Sequence, residues 1–198
     1  MKLKVEDIND IDEMNYFLFM AEMDEDKRVQ MLSYNNETDQ HLCSLGDNLR
    51  RRMISENFDI DPSMIAFIID NGGKPRCINC AAKFNISHSG TKVACVVSNK
   101  EVGVDIEINK PHPERTVERF ATESEKEFIA KNEANFLKIW CLKEAWVKCT
   151  GEGIRGNLKD IEFTVNDDNT VVSNKEEFEF KLYNDIEGYT LATCEKRD

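Results

Sequence analysis

The segment Val102-Gly103-Val104-Asp105-Ile106-Glu107-Ile108 constrains this chain more than any other. Val102, Val104, Ile106 and Ile108 fall on one face and Gly103, Asp105 and Glu107 on the other, the period of a β-strand with a buried side. The second face carries two carboxylates about 7 Å apart at the usual strand rise. Acidic residues are depleted in strands, so this pair needs a cause. One cause is the solvated edge of a half-buried sheet. The other is a hard divalent cation, which selects oxygen ligands and can bridge two such groups.

Composition narrows the choices. A chain of 198 residues suits one domain, or two small halves sharing a core. A net charge of −12 disfavours nucleic-acid binding, because phosphate backbones select basic surfaces. An anionic ligand would then need local basic clusters or a metal. No apolar run approaches the ~20 residues of a membrane span, and the first residues do not read as a signal peptide. The seven cysteines are odd in number and lack framework spacing, so free thiols in a reducing cytoplasm are expected. Cys77 and Cys80 form a CxxC with no second ligand pair of the kind a structural zinc site needs.

The remaining elements follow from pattern. Lys2 to Val5 reads as a strand, and Asp10 to Met20 and Asp24 to Tyr34 as helices, the second carrying Lys27 and Arg28. A long helix spans about Glu37 to Asn57, with Leu42, Leu45, Leu49 and Met53 as its apolar stripe and Arg50-Arg51-Arg52 as the densest positive charge. Three adjacent helical residues point in three directions, so at most one or two face a common ligand, and a solvated face is the expectation for Arg50 and Arg52. Ile65 to Ile69 reads as a strand, and Asn71-Gly72-Gly73-Lys74-Pro75 as a turn presenting Lys74. Phe84 to Gly90 (Phe-Asn-Ile-Ser-His-Ser-Gly) reads as a donor-rich loop suited to an oxyanion, with a polar turn as its plain alternative. Val93 to Ser98 should pair with the acidic strand as a hairpin. Pro111 and Pro113 close that region, and Thr122 with Glu125 has capping-box spacing.

Asn135 to Thr150 is the strongest helix, stopped by Gly151 and Gly153. Leu137, Cys141, Glu144 and Lys148 share one stripe, with Trp140 beside it. Glu144 and Lys148 could be a surface ion pair, but Leu142, Ala145, Trp146 and Val147 make the helix apolar nearly all round, and a carboxylate on its buried side must be paired or bound to a cation. Ile161–Val165, Val171–Val172, Phe178–Tyr183 and Tyr189–Cys194 read as strands. Helices precede strands in each half, so the fold class is α+β.

Taken in order, Gly73-Lys74-Pro75, Asn85-Ile86-Ser87-His88-Ser89, Val102 to Glu107, Arg119-Phe120 with Glu125, and Trp140-Cys141-Leu142-Lys143-Glu144-Ala145-Trp146-Val147-Lys148 resemble the Sfp-type 4′-phosphopantetheinyl transferases. The resemblance spans about Asp26 to Gly153; its specific part is the acidic strand together with the Trp-x-x-Lys-Glu-Ala helix. It implies two similar α+β halves, 1–100 and 101–198, with the active site between them, and a monomer rather than the trimer of the family's half-length members. It implies transfer of phosphopantetheine from coenzyme A to a serine of an acyl, peptidyl or aryl carrier protein, with release of adenosine 3′,5′-bisphosphate. By position, Asp105 and Glu107 would bind Mg²⁺, with Glu144 as third ligand or as base, and Lys148 would lie near the diphosphate. His88, Ser87, Lys74 and Arg51 would hold coenzyme A phosphates and nucleotide, and Lys27 and Arg28 would serve the 3′-phosphate. Gln30 and Leu42 stand where the family often has basic residues, which implies a less positive nucleotide end.

The chemistry is coherent without the family. A divalent cation on Asp105 and Glu107 offsets the charge of a diphosphate and polarises it, Lys and His neutralise charge developing in the transition state, and Glu144 or a metal-bound water accepts the serine proton. Two other readings are a non-catalytic coenzyme A or carrier-protein binder of the same fold, and a Mg²⁺-dependent phosphodiester-cleaving enzyme that uses water as acceptor.

Overall fold

The computed structural model describes residues 1–111, 114–151 and 157–198, with backbone alone at positions 114 and 115. Pro113 and Gly153, expected to end elements, lie outside the described residues. The first half of the chain runs β1 (Lys2–Asp7), α1 (Glu13–Glu22), α2 (Glu25–Leu32), α3 (Glu37–Phe58), β2 (Phe67–Ile69), β3 (Pro75–Cys77), β4 (Lys83–Ser89) and β5 (Lys92–Ser98). The second runs β6 (Val102–Ile108), α4 (Glu114–Phe120), α5 (Glu123–Lys131), α6 (Ala134–Thr150), β7 (Phe163–Val165), β8 (Val171–Ser173), β9 (Phe178–Tyr183) and β10 (Tyr189–Lys196). This is an α+β fold.

Two antiparallel three-stranded sheets organise it, in the orders β1-β5-β4 and β6-β10-β9. Each places its first strand beside its last and its last beside the one before, with a long helix between first and second. α3 buries Leu42, Leu45, Leu49 and Met53 against Phe84, Val93, Cys95 and Val97. α6 lies on β6 and β10, with Ile139, Leu142 and Ala145 in a core shared with Phe120, Phe163 and Phe180. The opposite face of β5, Ala94 and Val96, packs on Val102, Val104 and Ile106 of β6. Because β5 and β6 are apolar on the faces they share, the two sheets join along them.

The close fit of α6 to β6 depends on Gly103. A Cβ there would come within 2.0 Å of the Ala145 carbonyl oxygen and 2.5 Å of the Cys149 nitrogen, both backbone atoms. At its far end α6 stops at Gly151, which takes φ 77° and returns its N–H to the Val147 carbonyl. The expected capping box at Thr122 and Glu125 is present. Glu125 does more than cap: it is fully buried, lies 2.8 Å from the equally buried Lys143 ammonium, and accepts the Phe163 N–H. Lys143 completes its bonds on the Leu158 and Ile161 carbonyls, both at 2.7 Å. This paired charge anchors α6 to the chain on either side of it.

Two local expectations are corrected. Residues 83–89 form a strand, not a loop: Phe84 and Ile86 alternate with Asn85, Ser87 and Ser89, and the backbone pairs fully with β5. The turn falls at Gly90, which takes φ 56°. The acidic strand is likewise not the partner of β5. It pairs with β10 at the other end of the chain, because β5 already has β1 and β4 on its two edges.

Candidate active site

The edge of β6 away from β10 meets side chains rather than a strand backbone. Asn85 Oδ1 accepts the Val104 N–H at 3.0 Å, Ser87 Oγ that of Ile106 at 3.3 Å, and Ser89 Oγ that of Ile108 at 3.1 Å. The polar residues of β4, spaced by two, thus share one face and hold β6 in register. The same hydroxyls reach the acids: Ser87 donates to Asp105 at 3.1 Å and Ser89 to Glu107 at 2.9 Å. Lys148 arrives from α6 and donates to Asp105 Oδ1 at 2.6 Å and to Ser87 Oγ at 2.9 Å. No ion pair between Glu144 and Lys148 is present among the described residues.

Ser87, Asp105, Glu107 and Lys148 line a cleft of about 300 Å³ with His88, Ile86, Trp140 and Glu144. A second cavity, about 390 Å³, adjoins it through Ile86 and His88 and is lined further by Lys27, Tyr34, Leu42, Cys43, Asp47 and Arg50. Together they form one groove with the acids at one end and Lys27 and Arg50 at the other. A larger cavity of about 570 Å³, between β1, α1 and Arg52, shares no residue with the groove.

The solvated-edge reading of the acidic strand does not hold, since Asp105 is only 3% exposed. Its Oδ1 is bonded twice, while its Oδ2 is buried with no hydrogen-bond partner among the described residues. Burial, and after it the charge of Asp105, push the Glu144 carboxyl above its ordinary pKa, with Glu107 adding to the effect and Lys148 opposing it. His88 is exposed to solvent in the groove, yet surrounding protein and then the Lys148 ammonium lower its pKa. Three carboxyl groups thus share the acid end with one ammonium, in surroundings that disfavour charge on Glu144 and on the His88 imidazole beside them.

An orphaned buried carboxylate oxygen with a second carboxylate on the same strand face fits a hard divalent cation. No three His, Cys, Asp or Glu side chains among the described residues are close enough together to form a finished ligand set. Asp105 and Glu107 would supply the donors, and Glu144 lines the same cleft.

The other expected ligand contacts divide. Ser87, His88 and Lys148 lie in the acid end, and Lys27 lines the far end, where its ammonium is 3.0 Å from Gln30 Oε1. Arg28, on the same helix, is not a lining residue. Arg51 is turned inward. Its guanidinium is taken by Asp47 at 2.9 Å, Asp24 at 2.6 Å and the Ile65 carbonyl at 3.0 Å, so it braces α3 rather than facing the groove. Lys74 is also committed to the interior. Its ammonium bonds Glu101 and the Val102 and Cys149 carbonyls at 3.0–3.3 Å, which uses its three donors, and burial lowers its pKa. Its stem lines a small recess with Gly72, Gly73 and Lys148.

A family model described as the 4′-phosphopantetheinyl transferase superfamily matches residues 101–194, which carry Asp105, Glu107, Glu144 and Lys148. Over 187 residues the chain is 32% identical to the 4′-phosphopantetheinyl transferase Sfp of Bacillus subtilis (strain 168), covering 89% of this chain and 83% of that one. The chain belongs to the 4′-phosphopantetheinyl transferase superfamily. The 4′-phosphopantetheinyl transferase gsp of Aneurinibacillus migulanus is 28% identical over 197 residues, with 94% of this chain and 81% of its own covered. A solved structure, that of Thermotoga maritima holo-[acyl-carrier-protein] synthase, aligns with 50% of this chain and 63% of its own at 25% identity and a TM-score of 0.42.

As a phosphopantetheinyl transferase the chain is an enzyme, and two residues at or beside its groove were given no site role by the sequence reading. Ser89 was legible in the period-two run Asn85, Ser87, Ser89 once β4 is taken as a strand. Arg50 was legible as the continuation of the face through Cys43, Gly46 and Asp47; the solvated face expected for it is corrected, since it is 6% exposed, pairs with the buried Asp47 carboxylate and stacks its guanidinium 3.8 Å from the Phe67 ring centroid, while Arg52 is partly exposed and bonds Glu6 at 2.6 Å. No helix among the described residues is long and apolar enough to cross a membrane.

Proposed function

We propose that this phosphopantetheinyl transferase moves the 4′-phosphopantetheine group of coenzyme A to a serine hydroxyl of an acyl, peptidyl or aryl carrier protein, with Mg²⁺ as its metal, and acts as a cytoplasmic monomer. The observation that carries the reading is Asp105, buried with one oxygen unpartnered, in one cleft with Glu107, Glu144, Lys148 and His88. Residues 1–100 serve the nucleotide and phosphates, and residues 101–198 supply the metal-binding strand and the catalytic helix.

The nucleotide takes the cavity lined by Lys27 and Arg50, and the diphosphate lies between His88 and Lys148. Asp105 and Glu107 would hold the metal, with Glu144 either as a third ligand or as the base; when bound, the ion would supply charge neutralisation that an acid-lined cleft otherwise lacks. Lys148 steadies the diphosphate and the charge that develops on it. Where Glu144 is not a ligand, the burial that raises its pKa makes it the better acceptor, and it takes the serine proton as the serine oxygen attacks phosphorus. The bond to the adenosine 3′,5′-bisphosphate leaving group breaks in the same displacement.

The test is the intact mass of several apo carrier proteins after incubation with the protein, coenzyme A and Mg²⁺. A phosphopantetheine adduct on serine is expected. Release of the same fragment to water, with carrier mass unchanged, would replace transfer with hydrolysis, and no turnover would leave only binding.

A further inference from the structure

Cys77 ends β3, and Cys80 follows after Ile78 and Asn79. Their sulfur atoms lie 2.7 Å apart. Both are partly exposed, whereas Cys95, Cys141, Cys149 and Cys194 are buried in the cores. The contact is imposed by the loop. Asn79 donates its side-chain amide to the Met64 carbonyl and accepts the Ala66 N–H at 3.1 Å and the Cys77 thiol at 3.3 Å. The Ile78 N–H adds a bond to the Ala66 carbonyl at 3.1 Å. Three of these bonds thus hold the segment against Met64 and Ala66, just before β2, and the fourth, from the Cys77 thiol to Asn79, lies within it.

Such a pair lacks the further ligands of a zinc site; no group of three ligating side chains is found among the described residues. It does have the geometry of a dithiol: two thiols in contact, reachable from solvent, on a loop held by other bonds. Cys80 is the poorer first nucleophile, since burial and then the Cys77 sulfur push its thiol up.

We propose that Cys77 and Cys80 form a thiol–disulfide exchange site that low-molecular-weight disulfides oxidise to an intramolecular bridge. The Cys77 thiolate attacks one sulfur of the small disulfide, and the other leaves as a thiolate that takes up a proton. Cys80 then loses its proton and attacks the Cys77 sulfur of the mixed disulfide, forming the bridge and expelling the second small thiol. Two cysteine S–H bonds are lost, one protein S–S bond forms, and the two electrons end on the two small thiols. The bridge closes at the foot of the β2–β3 hairpin, outside the catalytic groove, so the site does not depend on the transferase reading.

The full chain is incubated with glutathione disulfide, quenched with iodoacetamide, digested and mapped by mass spectrometry. We expect a peptide joining Cys77 to Cys80 with two hydrogens lost and neither thiol alkylated, and full alkylation of both after dithiothreitol. Phenylarsine oxide, which bridges adjacent thiols, should bind the reduced protein and block this oxidation. In Cys80→Ser the first step should stop at a stable glutathione adduct on Cys77. The wild-type mapping decides the matter even if that variant fails to fold. Persistent glutathione on wild-type Cys77 or Cys80, or equal alkylation of both with and without glutathione disulfide, overturns the proposal.

Discussion

Glu144 is held in an environment that resists its charge, and this has two measurable consequences. Its folded pKa lies above the ordinary value of 4.5, so the folded protein binds this proton more tightly than the unfolded chain does. The associated stability is present below pH 4.5 and is lost as pH rises through the raised value. In EDTA, Glu144→Gln should therefore melt no lower than the wild type at pH 8, and relatively lower at pH 4. Its kcat should fall by about 10²–10⁴-fold, the range for loss of a general base. Raising Mg²⁺ should restore transfer only if Glu144 acts mainly as a ligand. Wild-type turnover in this variant would remove it from both roles. For His88 the sign is reversed: its pKa is lowered from 6.5, so stability is complete above that pH and declines as pH falls toward the folded value. A diphosphate beside the imidazole favours the protonated form, and coenzyme A binding at pH 6 should take up protons. Calorimetry in buffers of different ionisation enthalpy reads this directly, and His88→Gln should abolish the uptake.

At the scale of elements, the site depends on how α6 is seated. Gly103→Ala would drive a methyl into the Ala145 carbonyl, and backbone cannot yield as a side-chain tip can. The helix must then shift from β6, carrying Glu144 and Lys148 away from Asp105. A displacement near 1 Å can cost about 10²-fold in rate, so we expect transfer to fall steeply, with a smaller loss in the coenzyme A melt shift. The ion pair behind the helix is a separate test. Lys143→Met leaves the Glu125 carboxylate buried without its counter-charge, which should cost about 3–5 kcal/mol. Urea unfolding measures it. Pairing the change with Glu125→Gln should recover part of the loss.

For the molecule as a whole, the groove between the sheets must draw a polyanion to a chain of net charge −12. Coenzyme A should therefore stabilise the fold chiefly when Mg²⁺ is present, by about 2.7 kcal/mol at 100 times its dissociation constant. Thermal melts with and without EDTA test this, and equal shifts would remove the metal from binding. The overall acidity also bears on docking. Carrier proteins commonly present an acidic helix, so recognition should rest on local apolar contact and a few basic residues, and KM for the carrier should rise only modestly with salt.

The amino-acid pattern by itself determined the α+β class, the acidic strand, the stripe of α6 and the four strands after it. Those signals are local: alternation, caps and helical faces need no distant partner to be read. Asp105, Glu107, Glu144 and Lys148 were associated only through the resemblance to the Sfp-type family, since alternation and helical stripe read each pair without placing the strand beside the helix. Tertiary structure alone decided which strand accompanies the acids, since pairing of β6 with β10 joins residues far apart in sequence. It decided that Arg51 and Lys74 face inward, where carboxylates and free carbonyls satisfy their donors, and that Arg50, equally buried, pairs with Asp47 and stacks on Phe67 where it lines the groove. It decided, too, that residues 83–89 are a strand. Asn, Ser and His read locally as a loop, and only the backbone edge of β5 and the unpaired N–H groups of β6 gave them an extended place.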